Sequence, residues 1–278
     1  EWGGQVGPGP QLIGGNTQDR RKPKQKFSER YDEPGAELND TEAQTDTRDG
    51  TDYSANLSYE MPVAGGNLEL SGIFVRTDRV QDESSIEYNG GDVDDVAKQS
   101  HNPLDILTDN WSVNGRYDRE MLGGETTFKL GYATIEDNQF EQEEEIDFGE
   151  LEVGDEAIEG TRVNTDLKDE ELQAALEHKI QLGGGMQLEF GVQYADKNRA
   201  TSVFQAEAEV EGEPTFRALL DSEYGDYEAV SGGVNTIEET RIDPYVMLSG
   251  ENGPAKWGAG LRYETTDVSI TDETVDAD

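Results

Sequence analysis

Four short glycine-containing turns recur along the chain, and each joins two stretches in which apolar and polar residues alternate. They are Ala64-Gly65-Gly66-Asn67, Leu122-Gly123-Gly124-Glu125, Leu182-Gly183-Gly184-Gly185 and Glu251-Asn252-Gly253-Pro254. A tight glycine turn between alternating stretches predicts a β-hairpin. Longer acidic segments separate the hairpins, so short turns and long loops alternate with a period of about 60 residues. This asymmetry is typical of a transmembrane β-barrel.

The third hairpin shows the alternation most completely. Met186, Leu188, Phe190, Val192 and Tyr194 fall on one face of the predicted strand, and the residues between them are Gln187, Glu189, Gly191 and Gln193. Successive side chains of a strand point to opposite faces, so this strand has one apolar and one polar face. Alternating runs of about 9 to 11 residues are long enough to cross a bilayer when tilted.

A half-buried soluble sheet has the same alternation, so a soluble acidic β-protein is the alternative. Three features favour the barrel: glycines and charges on the polar face, the persistent contrast between turns and loops, and aromatic residues near the predicted strand ends. The aromatic residues are Tyr53, Tyr59, Phe74, Trp111, Tyr117, Tyr132, Tyr194, Trp257 and Tyr263. The predicted fold class is therefore all-β, an antiparallel transmembrane β-barrel segment.

The charge of the chain is strongly negative. It has 62 acidic and 22 basic residues, a formal net charge of −40 and a mean hydropathy of −0.81. The acids gather between the hairpins, at Asp78 to Glu87, Asp92 to Asp95, Asp137 to Asp155, Glu207 to Glu213 and Asp221 to Glu228. We expect hydrated loops there. Such a charge argues against binding to nucleic acid.

Few residues form a pattern that could carry chemistry. The acidic runs Asp92 to Asp95 and Glu141 to Asp147 lack the glycine and glutamate spacing of a calcium loop, so solvated loop charge is favoured. His101, predicted in a loop, and His178, predicted in a strand, have no partner at zinc-ligand spacing. Cysteine is absent. We therefore predict no enzyme, no cofactor and no metal site, and no catalytic residue is assigned.

Two hairpins resemble those of a known family. Arg241-Ile242-Asp243-Pro244-Tyr245-Val246-Met247-Leu248 and the return strand Trp257 to Thr266, with Gly260-Leu261-Arg262-Tyr263, resemble a mid-barrel hairpin of TonB-dependent receptors. Asn56 to Glu60 with Leu68 to Gly72 is similar to the first barrel hairpins of that family. Together the resemblance covers most of residues 50 to 267.

The resemblance implies a barrel of about 22 strands around a plug in the bacterial outer membrane. Its partners would be the lipid bilayer, the TonB system and a scarce nutrient such as a siderophore or glycan, with substrate-binding residues unknown. No TonB box, plug or closing strand is recognisable, so we expect an internal piece of a longer barrel. A passive or small outer-membrane barrel and a soluble secreted acidic β-domain are the alternatives.

The chain divides into two parts on this interpretation. Residues 1–49 form an irregular lead-in, either the exit from a plug or a first strand and loop, with a strand expected at Lys26 to Tyr31. Residues 50–278 form the β-barrel segment, and the chain is expected to contain eight or nine strands, eight of them in four hairpins.

Overall fold

A single antiparallel β-sheet makes up almost all of the structure, a computed structural model that describes residues 10–31, 38–148, 158–210, 219–252 and 254–274. The sheet has eleven strands, which confirms the predicted all-β antiparallel fold class. Their bounds are β1 Pro10–Tyr31, β2 Leu38–Val63, β3 Gly66–Asn89, β4 Val96–Met121, β5 Gly124–Asp147, β6 Ile158–Gly183, β7 Met186–Val210, β8 Glu228–Ala229, β9 Asn235–Asn252, β10 Ala255–Arg262 and β11 Thr265–Asp272. One 3-10 turn covers Asp221–Glu223.

The strands lie in the sheet in the order in which they follow along the chain. Each of β1 to β7 pairs with its sequence neighbours, β9 pairs with β7, and the two-residue β8 also pairs with β7. Both β10 and β11 pair with β9. Among the described residues β1 pairs only with β2 and β10 only with β9, so the sheet is open at both edges.

Three of the four predicted turns are two-residue hairpin turns with positive φ at both positions. The φ angles are 48° and 79° at Ala64 and Gly65, and 54° and 81° at Leu122 and Gly123. This is the type I′ geometry, whose twist matches that of the flanking strands. Gly184 and Gly185 form the third, with φ of 60° and 76°. The fourth turn includes residue 253, which lies outside the described residues.

The second turn provides a test of local strain. Leu122 adopts a left-handed conformation that costs an L-residue about 1–2 kcal/mol, whereas asparagine tolerates this region. We expect Leu122→Asn to raise the free energy of unfolding by about 0.5–1 kcal/mol, because the exposed leucine loses few contacts. Gly123→Val should lower it, since a β-branched residue is disfavoured at positive φ. The midpoint of urea unfolding measures both, and an unchanged midpoint for Gly123→Val would contradict this account.

The strands are much longer than the sequence predicts, and the loops are correspondingly shorter. β4 and β6 each have 26 residues, and the acidic segment 78–87 belongs to β3 rather than to a loop. The predicted loop at residues 137–155 is likewise wrong as far as residue 147, where β5 ends. Backbone pairing needs no apolar side chains, and oppositely charged groups across strands offset repulsion. Lys98 Nζ, for example, lies 2.7 Å from a carboxylate oxygen of Glu145.

The segment before residue 50 is also more regular than the predicted lead-in. β1 runs from Pro10 to Tyr31 and contains the expected strand at residues 26–31, and β2 begins at Leu38. The register places Arg21 opposite Asp49 and Lys24 opposite Asp46. A basic strand paired with an acidic strand shows no apolar alternation. The sequence pattern therefore predicts an irregular lead-in here. Residues 1–9 and 32–37 lie outside the described residues.

The last strand is interrupted opposite a proline. Tyr263 donates its backbone N–H to the carbonyl oxygen of Pro244 at 3.0 Å, but Pro244 has no N–H to return the bond. The interruption separates β10, which ends at Arg262, from β11, which begins at Thr265 in the same register along β9. The predicted end of the last strand near Thr266 is therefore wrong, since β11 continues to Asp272.

Among the described residues, a small buried apolar core lies at one end of the sheet. We call the end with the glycine turns the turn end and the opposite end the loop end. Ile146, Ile158, Ala208 and Leu219 form a buried cluster at the loop end. Elsewhere many large apolar side chains are exposed. A soluble domain of this size buries a large core, so these exposed side chains need a separate explanation.

Candidate functional site

The alternation of side chains and the strand register give the sheet one apolar and one polar face. Residues paired across antiparallel strands lie on the same face. One such row crosses the sheet through Tyr59, Leu70, Gly115, Leu130, Ala174, Tyr194 and Ile242. Leu130 in this row is 60% exposed. We call this side the apolar face and its apolar rows the apolar band.

Aromatic and then charged residues border the apolar band toward the loop end. Phe74 lies opposite Trp111, and the rings of Trp111 and Tyr132 are 5.2 Å apart. In the next row of the same face, two nitrogens of Arg76 lie 2.6 and 2.5 Å from the two carboxylate oxygens of Asp109. The aromatic residues were predicted near strand ends, which is wrong for these three because the strands continue past them. They mark the border of the band instead.

The polar face contains an open cavity of about 840 Å³. Its lining is mixed in charge and includes Arg116, Lys129, Lys197 and Glu239. Several of these side chains form cross-strand ion pairs, such as Lys129 with Glu177 at 2.8 Å. Glycines and charged groups on this face agree with the sequence prediction that one side of the sheet is polar.

Asp243 is the most buried carboxylate on the polar face, at 1% exposure of its side chain. Its Oδ2 atom lies 2.8 Å from Nε of Arg241 and 2.6 Å from Nη2 of Arg262, so it forms an ion pair with each arginine. Its Oδ1 atom has no partner among the described residues. Two guanidinium groups compensate the burial of this carboxylate. The cluster lies beside the proline that interrupts the last strand.

A second buried carboxylate anchors the segment after β7 to the apolar side of the loop end. Glu144, which is 1% exposed, accepts a hydrogen bond from the backbone N–H of Leu219 at 3.0 Å. Arg162 stacks 3.9 Å from the ring centroid of Tyr224 and donates to Asp221 at 2.9 Å. Burial raises the pKa of the Tyr224 phenol, and the nearby Glu144 carboxylate adds to this effect. We call these contacts the loop clasp.

The loop clasp should depend on Glu144. Glu144→Ala removes the acceptor of a buried N–H, at a cost of about 1–3 kcal/mol. We therefore expect hydrogen exchange of the Leu219 amide to accelerate by about 5-fold to 150-fold. Glu144→Gln keeps an acceptor oxygen and should retain most of the protection. Glu143→Ala, on the polar face next to it, is the matched control. Equal protection in Glu144→Ala and Glu143→Ala would show that the clasp does not hold this segment.

The other acids and histidines singled out in the sequence are dispersed. Asp92 to Asp95 form the turn between β3 and β4, where Asp92 Oδ1 accepts the N–H of Asp94 at 3.1 Å. His101 lies in β4 rather than in the predicted loop, 3.1 Å from Asp82. His178 lies in β6 as predicted and contacts Thr126 at 2.8 Å. In the described ranges no three His, Cys, Asp or Glu side chains are grouped to hold a metal ion.

The acidic run Glu141 to Asp147 is a strand, not a loop, so alternate residues point to opposite faces. On the polar face Glu145 and Asp147 flank Lys98, at 2.7 and 3.2 Å from its Nζ. The hydrogen bond to Glu145 is the main cause of a raised pKa at Lys98, although burial opposes it. Gly183-Gly184-Gly185 forms a turn, as predicted. Residues 7–9 of the Gly7-Pro8-Gly9-Pro10 stretch lie outside the described residues.

Sequence reasoning missed the Arg76–Asp109 pair, the Asp243 cluster and the loop clasp. Glu144 and Leu219 are 75 residues apart, and no local pattern connects them. The only local signal for the Asp243 cluster is the proline that directly follows this acid, in Asp243-Pro244. No family model matches the chain, and no curated protein is significantly similar to it. None of the helical residues described forms a span long and apolar enough to cross a membrane.

Proposed function

We propose that this chain is part of a transmembrane β-barrel in a bacterial outer membrane, of the TonB-dependent receptor type, which imports a scarce nutrient. The observation that carries the proposal is the exposed apolar band on one face of a long antiparallel sheet. Soluble proteins rarely expose a contiguous apolar surface of this extent. A bilayer would cover the band, and the polar face would line a hydrated interior.

The height of the band supports this assignment. In β2 the apolar side chains of this face extend without interruption from Tyr53 to Val63, which corresponds to about 33 Å along the strand at about 3.3 Å per residue. A strand tilt of about 45° reduces this to about 23 Å, close to the apolar height of about 25 Å of outer-membrane barrels. The Phe74 and Trp111 border fits an aromatic girdle at one interface, followed by charged groups in water.

The receptor class is supported by the sequence resemblance of the β9–β10 hairpin and of residues 56–72. On this proposal the nutrient passes along the polar face, and the loop end contacts it first. Energy would come from the TonB system. If so, loss of the protein should abolish uptake of one nutrient, and loss of TonB should have the same effect.

Phase partition tests the membrane assignment. The protein is expected to enter the detergent-rich phase of a Triton X-114 extraction, because the apolar band needs a cover. Circular dichroism of that phase should show the strand content of the folded sheet. A monodisperse, detergent-free protein with a cooperative thermal transition would instead mean that the apolar side chains pack as a soluble core. The secreted β-domain would then replace the receptor.

A further inference from the structure

A groove of about 740 Å³ crosses the apolar face near the loop end, beyond the charged row of Arg76 and Asp109. From Phe74 at the border of the apolar band to Val80 in the groove, β3 advances by about 20 Å. The groove is therefore separate from the apolar band. It is also separate from the polar-face cavity, since it lies on the opposite side of the sheet.

Apolar and polar side chains alternate across the strands in this groove. One row passes from Val80 to Asp105, Phe140, Asn164 and Phe204 in successive strands β3 to β7. Neighbouring strands are about 4.8 Å apart, so apolar groups recur about every 9.6 Å across the sheet. The adjacent row is mostly polar, with Asp78, Leu107, Asn138 and Asp166 in β3 to β6.

Part of this apolar surface is open to solvent. Val80 is 45% exposed, and so is Tyr227 at 43%. Tyr227 belongs to the segment between the loop clasp and β8, and it lines one side of the groove. The groove thus has aromatic side chains from both the sheet and the neighbouring loop segment.

The charge of the side chains that line the groove is negative. Asp78, Asp105 and Asp166 line it, and none of the described lining residues is basic. The bases two residues away on the same face are already engaged, Arg76 by Asp109 at 2.5 Å and Lys168 by Glu170 at 3.1 Å. A ligand without positive charge would displace water from these carboxylates. The hydrogen bonds between that water and the carboxylates would then be lost without replacement.

We propose that this groove binds a basic, partly apolar polypeptide segment of a partner protein. Lysine or arginine side chains would pair with the three aspartates and lie against the aromatic rings, where cation–π attraction adds to the ion pairs. Apolar side chains of the same segment would cover Val80, Phe140 and Phe204. The alternation of carboxylates and apolar groups favours a segment in which both kinds of side chain are interspersed.

Binding of a fluorescently labelled Lys-Leu-Lys-Leu-Lys peptide to the 278-residue chain, followed by anisotropy at 0.15 M salt, tests the proposal. We expect Asp105→Asn with Asp166→Asn to weaken binding at least 10-fold, because two of the three charges are lost. Phe140→Ala with Phe204→Ala should weaken it to a similar extent. A Lys-Gly-Lys-Gly-Lys peptide should bind at least 5-fold more weakly than the leucine peptide.

The matched control is Glu83→Gln with Glu143→Gln, which removes two acids from the polar face near the same end of the sheet. It should change the affinity less than 2-fold. An equal loss in this control would mean general attraction to the acidic chain and would overturn the proposal. Unchanged binding in the phenylalanine variant would do the same. Asp105 and Asp166 are exposed, so their variants should keep the strand content measured by circular dichroism. A loss of binding in these variants is therefore not a result of unfolding. Phenylalanine-dependent binding of neutral dextran oligosaccharides, without peptide binding, would assign the groove to a carbohydrate instead.

This outcome is independent of membrane insertion. A protein that partitions into detergent and fails to bind the peptide would retain the barrel assignment and lose the groove assignment. A detergent-free monomer that binds the peptide through the groove would have the opposite consequence.

Discussion

Replacing Leu130 by arginine is expected to prevent most of the protein from assembling in lipid bilayers. Leu130 is near the middle of the apolar band and is 60% exposed. Arginine at the bilayer midplane of a β-barrel costs about 2–4 kcal/mol, which corresponds to a loss of about 30-fold to 900-fold in the folding equilibrium. The folded fraction is measured by heat-modifiable mobility on gels after refolding into lipid vesicles.

Gln173→Arg is the matched control for Leu130→Arg. Gln173 is paired with Gly131, one residue from Leu130 along β5, and faces the polar side. It should be tolerated with little change in the folded fraction, since its side chain meets water. Equal tolerance of the two arginines would mean that the apolar face never meets lipid. Equal intolerance would indicate that both faces are packed.

Single-cysteine labelling should show a second large difference, between the two ends of the sheet. The chain has no cysteine, so Asp94→Cys at the loop end and Glu120→Cys near the turn end each introduce one thiol. If the loop end faces outward, an impermeant maleimide added to intact cells should label Asp94→Cys at least 10-fold more than Glu120→Cys. Permeabilised cells should label both.

The opposite labelling pattern would reverse the orientation of the sheet across the membrane. Labelling of both cysteines in intact cells would show that the sheet does not separate two compartments. Each result is read against the permeabilised sample, which controls for the intrinsic reactivity of the two thiols.

The hairpins could be predicted from sequence because their information is local. The complete alternation from Met186 to Tyr194 identifies β7, and the adjacent glycine turn fixes its partner β6. The same logic failed beyond the apolar band, where charged residues lie on both faces of the strands and period-two alternation disappears. β3 therefore continues to Asn89 through residues that resemble a solvated loop.

The sites on the sheet could not be predicted because their patterns run across strands. Val80, Phe140 and Phe204 come together only through the register of five strands. The Glu144 carboxylate gains its role from a backbone N–H of a distant segment. A single sequence contains the residues of these sites, but the pairing of the strands determines which of them become neighbours.

The agreement between strand order and chain order has a consequence for how such a protein can change in evolution. A hairpin added between β7 and β9, or removed with its turn, leaves the register of the other pairs intact because no strand is threaded between distant ones. The circumference of a barrel grows roughly in proportion to its strand number. If the sheet is part of a closed barrel, as we propose, duplication or loss of single hairpins would widen or narrow that barrel in small steps, without redesign of the remaining sheet.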